Sequence, residues 1–95
     1  MATHYTLTWF KNEIKPRLSG FSVTYSNFGK GDFGTLERVE LESEGLMGTV
    51  DFWSQEWLDI HVIDAVAGEE RLNMMLGPDQ ELEKAQAVAA FFALL

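Results

Sequence analysis

The sequence contains no cysteine, two prolines and two histidines among its 95 residues. The lack of cysteine excludes disulfide scaffolds, thiol nucleophiles and thiolate metal sites. With His4 and His61 as the only imidazoles, we predict neither a metal site nor a cofactor. The longest apolar-rich stretch, Ala85 to Leu95, is shorter than the ~20 residues that a bilayer-spanning helix needs.

Targeting signals and linkers are also missing from the sequence. The first residues, Met1 to Phe10, lack the basic region and the small-residue cleavage site of a secretory signal, so we predict a cytoplasmic protein. A chain of this length can bury one modest hydrophobic core, and it contains no repeat or low-complexity tract. We therefore expect residues 1–95 to form a single domain.

Negative charge is concentrated after the first third of the chain. The net charge is −8, yet residues 1–31 carry four cations and one anion, so this part has a charge of +3 and the remainder −11. An acidic domain repels nucleic-acid phosphates and anionic lipids, whereas it attracts basic proteins. We expect no direct nucleic-acid or membrane partner, although an acidic surface also serves solubility alone.

The N-terminal segment has a helical pattern. Leu7, Phe10 and Ile14 recur at helical spacing, and Pro16 is expected to end the helix. The alternation of apolar residues with threonines before Phe10 would also suit a strand. We favour the helix.

From Phe21 onward, short β-branched and aromatic runs are separated by glycine-containing turns, which is typical of an antiparallel meander. The turns between the strands are predicted at 29–31, 43–45, 54–56 and 66–68. The five predicted strands span residues 21–28, 34–42, 46–53, 57–66 and 69–76.

Side-chain parity predicts the register of these strands, because a one-residue slip would exchange the two faces of the sheet. A three-residue loop at 54–56 places Phe52 opposite Leu58. A second one at 66–68, with Gly68 in the left-handed conformation, places Ile60 opposite Met74. The predicted core face consists of Val50, Phe52, Leu58, Ile60, Val62, Leu72, Met74 and Leu76.

The last element follows Gly77 and is predicted to be a helix that begins at Pro78, because proline and early acids are helix-start signals. We expect it to cover the apolar face of the sheet, with its final apolar residues against the N-terminal helix. Its predicted core stripe contains Leu82, Ala85, Ala89 and Phe92. The predicted fold class is α+β, a five-stranded antiparallel β-meander flanked by an N-terminal and a C-terminal α-helix.

Two apparent catalytic signals are interpreted as coincidence. Residues 29–34 match G-x-G-x-x-G, but they are predicted to connect two strands rather than to open a helix, so a tight turn explains the glycines. His61 and Asp59 could form a general base and its orienting carboxylate. Because no serine, cysteine or second histidine is placed to complete a nucleophilic set, we interpret His61 as a hydrogen-bonded surface residue.

The face opposite the predicted core mixes acids with large apolar side chains. Asp51 is expected directly opposite Asp59, where like charges destabilise a cross-strand pair. Arg38 or Arg71 could neutralise the pair internally, or basic side chains of a partner could do so, with tryptophans as anchors. Alternatively, the N-terminal helix could cover part of this face. The predicted partner-binding residues are Asp51, Trp53, Trp57, Asp59 and His61.

Residues 45–62 contain the segments GTVDFWS (48–54) and WLDI (57–60), and they lie between a leading helix with Trp9 and a short C-terminal helix. In this layout the chain resembles the small immunity proteins of bacterial polymorphic-toxin and contact-dependent growth-inhibition systems. The resemblance implies a non-catalytic domain that binds the C-terminal toxin domain of a delivered effector and blocks its active site. Such toxins are often basic nucleases, which an acidic inhibitor would match in charge.

We therefore expect an immunity protein that is not an enzyme, with a cognate toxin domain as its partner and a monomeric or weakly dimeric state. An acidic nucleic-acid mimic or phage-type inhibitor is the alternative, since it would be equally compact and acidic. An enzyme that acts through His61 and Asp59 is the third hypothesis.

Overall fold

In a computed structural model, residues 5–31 and 34–95 are described. The chain begins with α1 (Leu7–Trp9), a π-helical turn (Phe10–Ile14) and a 3-10 turn (Lys15–Arg17). The elements that follow are β1 (Ser22–Gly31), β2 (Gly34–Glu42), β3 (Leu46–Trp53), β4 (Leu58–Asp64), β5 (Glu70–Leu76) and α2 (Glu81–Leu94). No helix within the described ranges has the length and apolar content needed to cross a bilayer.

The five strands form one antiparallel sheet in the order β1-β2-β3-β4-β5, which confirms the predicted meander. The predicted turn at 29–31 is wrong, because β1 continues to Gly31, which pairs with Gly34 after an irregularity that follows Phe28. Residues 32 and 33, in the centre of the G-x-G-x-x-G match, lie outside the described residues.

The predicted register is confirmed at both hairpins. Phe52 pairs with Leu58, and Ile60 pairs with Met74. Gly68 has a φ of +70°, the left-handed conformation expected for its loop. The apolar residues of β3, β4 and β5 therefore share one face of the sheet, which we call the core face.

A bulge changes one position near the end of the last hairpin. Ile63 pairs with Glu70 rather than with the following residue. Glu70 thus shares a face with Ile63, whereas strict alternation from Leu72 would place Arg71 there.

Both helical segments pack on the core face and join it in one hydrophobic cluster. Phe10 and Ile14 are fully buried, and the ring of Phe10 lies 6.2 Å from that of Phe52. The predicted core residues of the sheet are buried, apart from Leu72 and Met74, which are partly buried. The N-terminal segment is helical, as favoured from the sequence, and the alternative in which it covers the opposite face is wrong.

Proline does not end the N-terminal helical segment as expected. Pro16 lies inside the 3-10 turn that extends to Arg17. At this early position of a turn, the missing N–H of proline is tolerated because no intrahelical acceptor is lost.

The orientation predicted for α2 is wrong. The helix begins at Glu81 rather than Pro78, and Leu82 is 67% exposed. The buried residues are Lys84, Ala87, Val88 and Phe91. Because the second half of the helix is almost wholly apolar, hydrophobic spacing does not distinguish its sides. Lys84 lies on this buried side, where its Nζ donates a 2.6 Å hydrogen bond to the carbonyl oxygen of Glu56 in the β3–β4 loop.

Candidate protein-binding face

The face of the sheet opposite the helices, which we call the open face, carries alternate residues of all five strands. The register arranges its described residues in rows that run across the sheet. The rows are Ser22, Glu42, Met47, Ile63 and Glu70; Thr24, Glu40, Thr49, His61 and Asn73; Ser26, Arg38, Asp51, Asp59 and Met75; and Phe28, Leu36, Trp53 and Trp57.

Arg38 neutralises Asp51 from the neighbouring strand. The Arg38 Nε donates to Asp51 Oδ1 at 2.8 Å, and its Nη2 donates to Oδ2 at 3.0 Å. This hydrogen bonding raises the pKa of Arg38. Asp51 is only 4% exposed, so its carboxylate is satisfied internally and is not accessible to a partner. The other candidate cation, Arg71, lies 3.9 Å from Asp64 instead.

Asp59 has a different environment, although it faces Asp51 directly. It is half-buried, and no described residue forms an ion pair or hydrogen bond with its carboxylate. Burial is the main cause that raises the pKa of Asp59, followed by the negative charge of Asp51, while His61 and Arg38 oppose the shift. Asp59 is therefore the member of the pair that remains partly accessible and has no direct ion pair among the described residues.

His61 lies in a shallow depression of about 210 Å³ on the open face. Its side chain is 48% exposed, and its Nε2 is 4.0 Å from Oε2 of Glu70, which is too long for a hydrogen bond. The surface position of His61 is confirmed, but the predicted hydrogen bond is absent from the described part of the chain. The depression is also lined by Glu40, Glu42 and Met47. Two carboxylates therefore lie near the exposed side chain of Met47.

The two tryptophans are half-buried at the loop end of the open face. They flank the β3–β4 loop, where the Trp53 N–H donates to the Trp57 carbonyl oxygen at 3.1 Å. The Trp57 ring packs against Gly77, where an added Cβ would lie 3.2 Å from the ring. Trp53 also lines a cavity of about 260 Å³ together with Tyr5, which precedes α1, and Lys84 of α2. Both indoles therefore offer less surface than an exposed anchor would.

Sequence reasoning missed the accessible residues of the first two strands. Glu40 and Glu42 lie on the open face in β2, and Phe28, at 47% exposed, lies there in β1. The alternation of both glutamates with the buried Val39 and Leu41 was a signal that could have placed them.

The open face is strongly acidic. Among its described side chains, Arg38 carries the one guanidinium, whereas five side chains carry carboxylates: Glu40, Glu42, Asp51, Asp59 and Glu70. A surface of this kind attracts cationic partners and speeds their association. Within the described residues, no three His, Asp or Glu side chains are grouped so that they could hold a metal ion.

The structure thus defines an α+β domain whose helices lie on one side of a five-stranded meander and whose other side is an accessible acidic face. Comparison of the chain with protein-family models, with curated proteins and with solved structures identified no match. The open face is therefore the feature of the molecule from which a function can be inferred.

Proposed function

We propose that the protein is a non-catalytic binding protein of the immunity type, which neutralises a basic toxin domain by docking it on the open face. Asp59 is the observation that carries this proposal. A half-buried carboxylate that faces a second carboxylate and lacks a described cation of its own weakens the fold. A local conflict of this kind is expected where a residue is kept for a partner rather than for stability.

Exposed apolar side chains on the same face favour a protein partner over a small cation. Phe28, Met47 and Met75 are 47%, 42% and 44% exposed. Met75 is the cross-strand neighbour of Asp59, so a basic side chain that reaches the carboxylate would pack its aliphatic stem on the thioether. Aromatic and methionine side chains are enriched in protein interfaces, whereas they contribute nothing to the binding of a small cation at a carboxylate.

The partner best matched to this face presents a cluster of lysine or arginine side chains. Such clusters bind the anionic substrate of a nuclease, and a protein docked on them would keep that substrate out. The cytoplasmic location, the cognate toxin partner and the antitoxin role belong to the same proposal, which the resemblance of residues 45–62 to immunity proteins also supports.

Charge reversal at Asp59 tests the proposal against a matched control. The Asp59→Lys variant and the Asp79→Lys variant change the net charge equally, but Asp79 is an exposed residue of the segment before α2. Calorimetric titration with a basic nuclease toxin domain that the wild type binds should show affinity at least tenfold weaker for Asp59→Lys and unchanged for Asp79→Lys, because close charge pairs couple by ~1.5 kcal/mol or more.

Salt dependence provides the second readout. Association should slow as ionic strength rises, since exposed charges are screened over about 8 Å at physiological salt. An equal loss of affinity in the two variants, or an association rate that does not change with ionic strength, would contradict docking through Asp59. Inhibition of a nuclease without protection of growing cells would instead favour the nucleic-acid mimic.

A further inference from the structure

We propose that two copies of the chain associate through the outer edges of β1, which pair antiparallel and join the two sheets into one. β1 (Ser22–Gly31) is the first strand of the sheet order and pairs with β2 on one side. The outer side of an edge strand presents a row of N–H and C=O groups that an extended strand of another chain can bind. The proposal is independent of the proposed function, because it concerns an edge of the sheet rather than the open face.

Most of β1, from Ser22 to Phe28, lacks the features that normally prevent edge strands from pairing, whereas Lys30 and the irregularity after Phe28 lie at the end of the strand. Between Ser22 and Gly29 the sequence contains neither proline nor a charged residue. β5, at the other edge, is shorter, has a bulge beside Ile63 and carries the exposed charged residues Glu70 and Arg71. Short length, bulges and charges are the features that protect an edge strand from pairing with another chain. We therefore expect association at β1 rather than at β5.

The charge distribution makes a second copy of this chain the fitting occupant. Two molecules with a net charge of −8 repel each other least where their acids are most distant. The sequence contains no acid from Ile14 to Gly31, so the acids next to β1 are those of β2, one strand further from the outer edge. The Lys11 Nζ lies 4.7 Å from the centre of the Tyr25 ring in β1. A basic partner would be drawn to the acidic open face, whereas a like-charged copy can approach along β1.

The shape of the strand suits a symmetric pair. Ser22–Phe28 pairs regularly with β2, so it is straight enough to form about seven hydrogen bonds with its symmetry copy. Tyr25 on the helix side and Phe28 on the open side are 37% and 47% exposed, and both gain apolar contacts across the boundary. The two-fold axis runs perpendicular to the joined sheet. Both open faces therefore lie on the same side, and the pair presents two acidic surfaces together.

A lysine pair in β1 tests this interface. Thr24 and Asn27 are exposed and lie opposite Glu40 and Glu37 in β2. Lysines at these two positions can pair with carboxylates of the same chain, so the substitutions should not disturb the fold. In a symmetric pair centred on Tyr25, position 24 lies opposite Ser26 of the other copy and diagonal to position 24 of that copy on the same face, so the two lysines added at that position repel each other. Sedimentation equilibrium of the wild type should approach twice the 10.7 kDa of one chain at high concentration. The Thr24→Lys/Asn27→Lys variant should stay at the mass of one chain.

The matched control places two lysines on the other edge. Asn73→Lys/Met75→Lys makes the same charge change in β5 and should dimerise like the wild type. A wild type that stays at one chain mass at every concentration, or dissociation by the β5 variant instead of the β1 variant, would overturn the proposal. Hydrogen exchange of the wild-type β1 amides, which should slow as concentration rises, gives a readout that needs no variant.

Salt separates this proposal from the proposed function. Raising ionic strength should strengthen the dimer, because it screens the repulsion between two acidic chains. The same change should weaken binding of a basic toxin domain. The two proposals can therefore fail independently: the protein could bind a toxin domain without forming a dimer, or form a dimer without binding a toxin domain.

Discussion

Replacing Asp59 with asparagine should stabilise the fold at neutral pH, whereas the same replacement at Asp51 should destabilise it. Favourable cross-strand pairs contribute ~0.2–1 kcal/mol, and like charges directly opposite each other are destabilising. With a cost of similar size for the aspartate pair, Asp59→Asn should raise the free energy of unfolding by about 0.5 kcal/mol. For a domain of this size, that corresponds to an increase in Tm of about 2–4 °C.

The opposite sign at Asp51 follows from its bidentate pair with Arg38. Asp51→Asn removes one negative charge from the open face, but it also leaves the guanidinium without its counter-charge. Hydrogen bonds to charged groups contribute ~1.5–3 kcal/mol. Because the Arg38 side chain is 35% exposed and water compensates in part, we expect a loss of about 1–2 kcal/mol.

The effect at Asp59 should depend on pH, because its pKa is raised in the folded protein. The folded protein keeps the Asp59 proton at pH values where the unfolded chain, with the ordinary pKa of 3.8, has released it. Unfolding then releases a proton, so stability falls as pH rises from 3.8 through the raised pKa. The advantage of Asp59→Asn should be complete above that pKa and disappear below 3.8.

Urea and thermal unfolding from acidic to neutral pH would measure both variants, with Asp79→Asn as an exposed control that should change little. A shift of the same sign in both variants would refute the distinction drawn between the two aspartates. An advantage of Asp59→Asn that persists at the acidic end would show that charge repulsion is not its cause.

Two further predictions concern packing, and unfolding midpoints in urea would check both. Phe91→Ala removes a buried ring from the core and should lower stability by about 3–5 kcal/mol, whereas Leu82→Ala, on the exposed side of α2, should cost less than about 0.5 kcal/mol. A larger loss of stability for Leu82→Ala than for Phe91→Ala would support the helix orientation that hydrophobic spacing predicts. Gly34→Ala should cost about 1–3 kcal/mol, because Gly34 has a φ of +93° and an added Cβ would collide with the Ser54 side chain. Gly29→Ala, which meets open space at an ordinary φ, should be tolerated, and similar losses at both glycines would contradict this reasoning.

The strand order and the register of the two later hairpins could be predicted because they depend on local features. Alternation has a period of two, and three-residue loops preserve it, so the pairing of Phe52 with Leu58 follows from neighbouring residues. Where the local signal was ambiguous, prediction failed. The apolar second half of α2 has no polar side to orient it, and the continuation of β1 to Gly31 passes through glycines that are equally typical of a turn.

By itself, the sequence determined that this acidic chain has an α+β fold with a five-stranded meander, because composition, turn chemistry and alternation act over a few neighbouring residues. Only the tertiary structure decided which aspartate remains available. Arg38 reaches Asp51 because β2 pairs with β3 in one register, which brings together residues that are 13 positions apart in the chain. The side of α2 that faces the core is likewise visible only in the tertiary structure, where Phe91 is buried and Lys84 contacts Glu56, 28 positions away, because the weak hydrophobic period of the helix does not distinguish its sides.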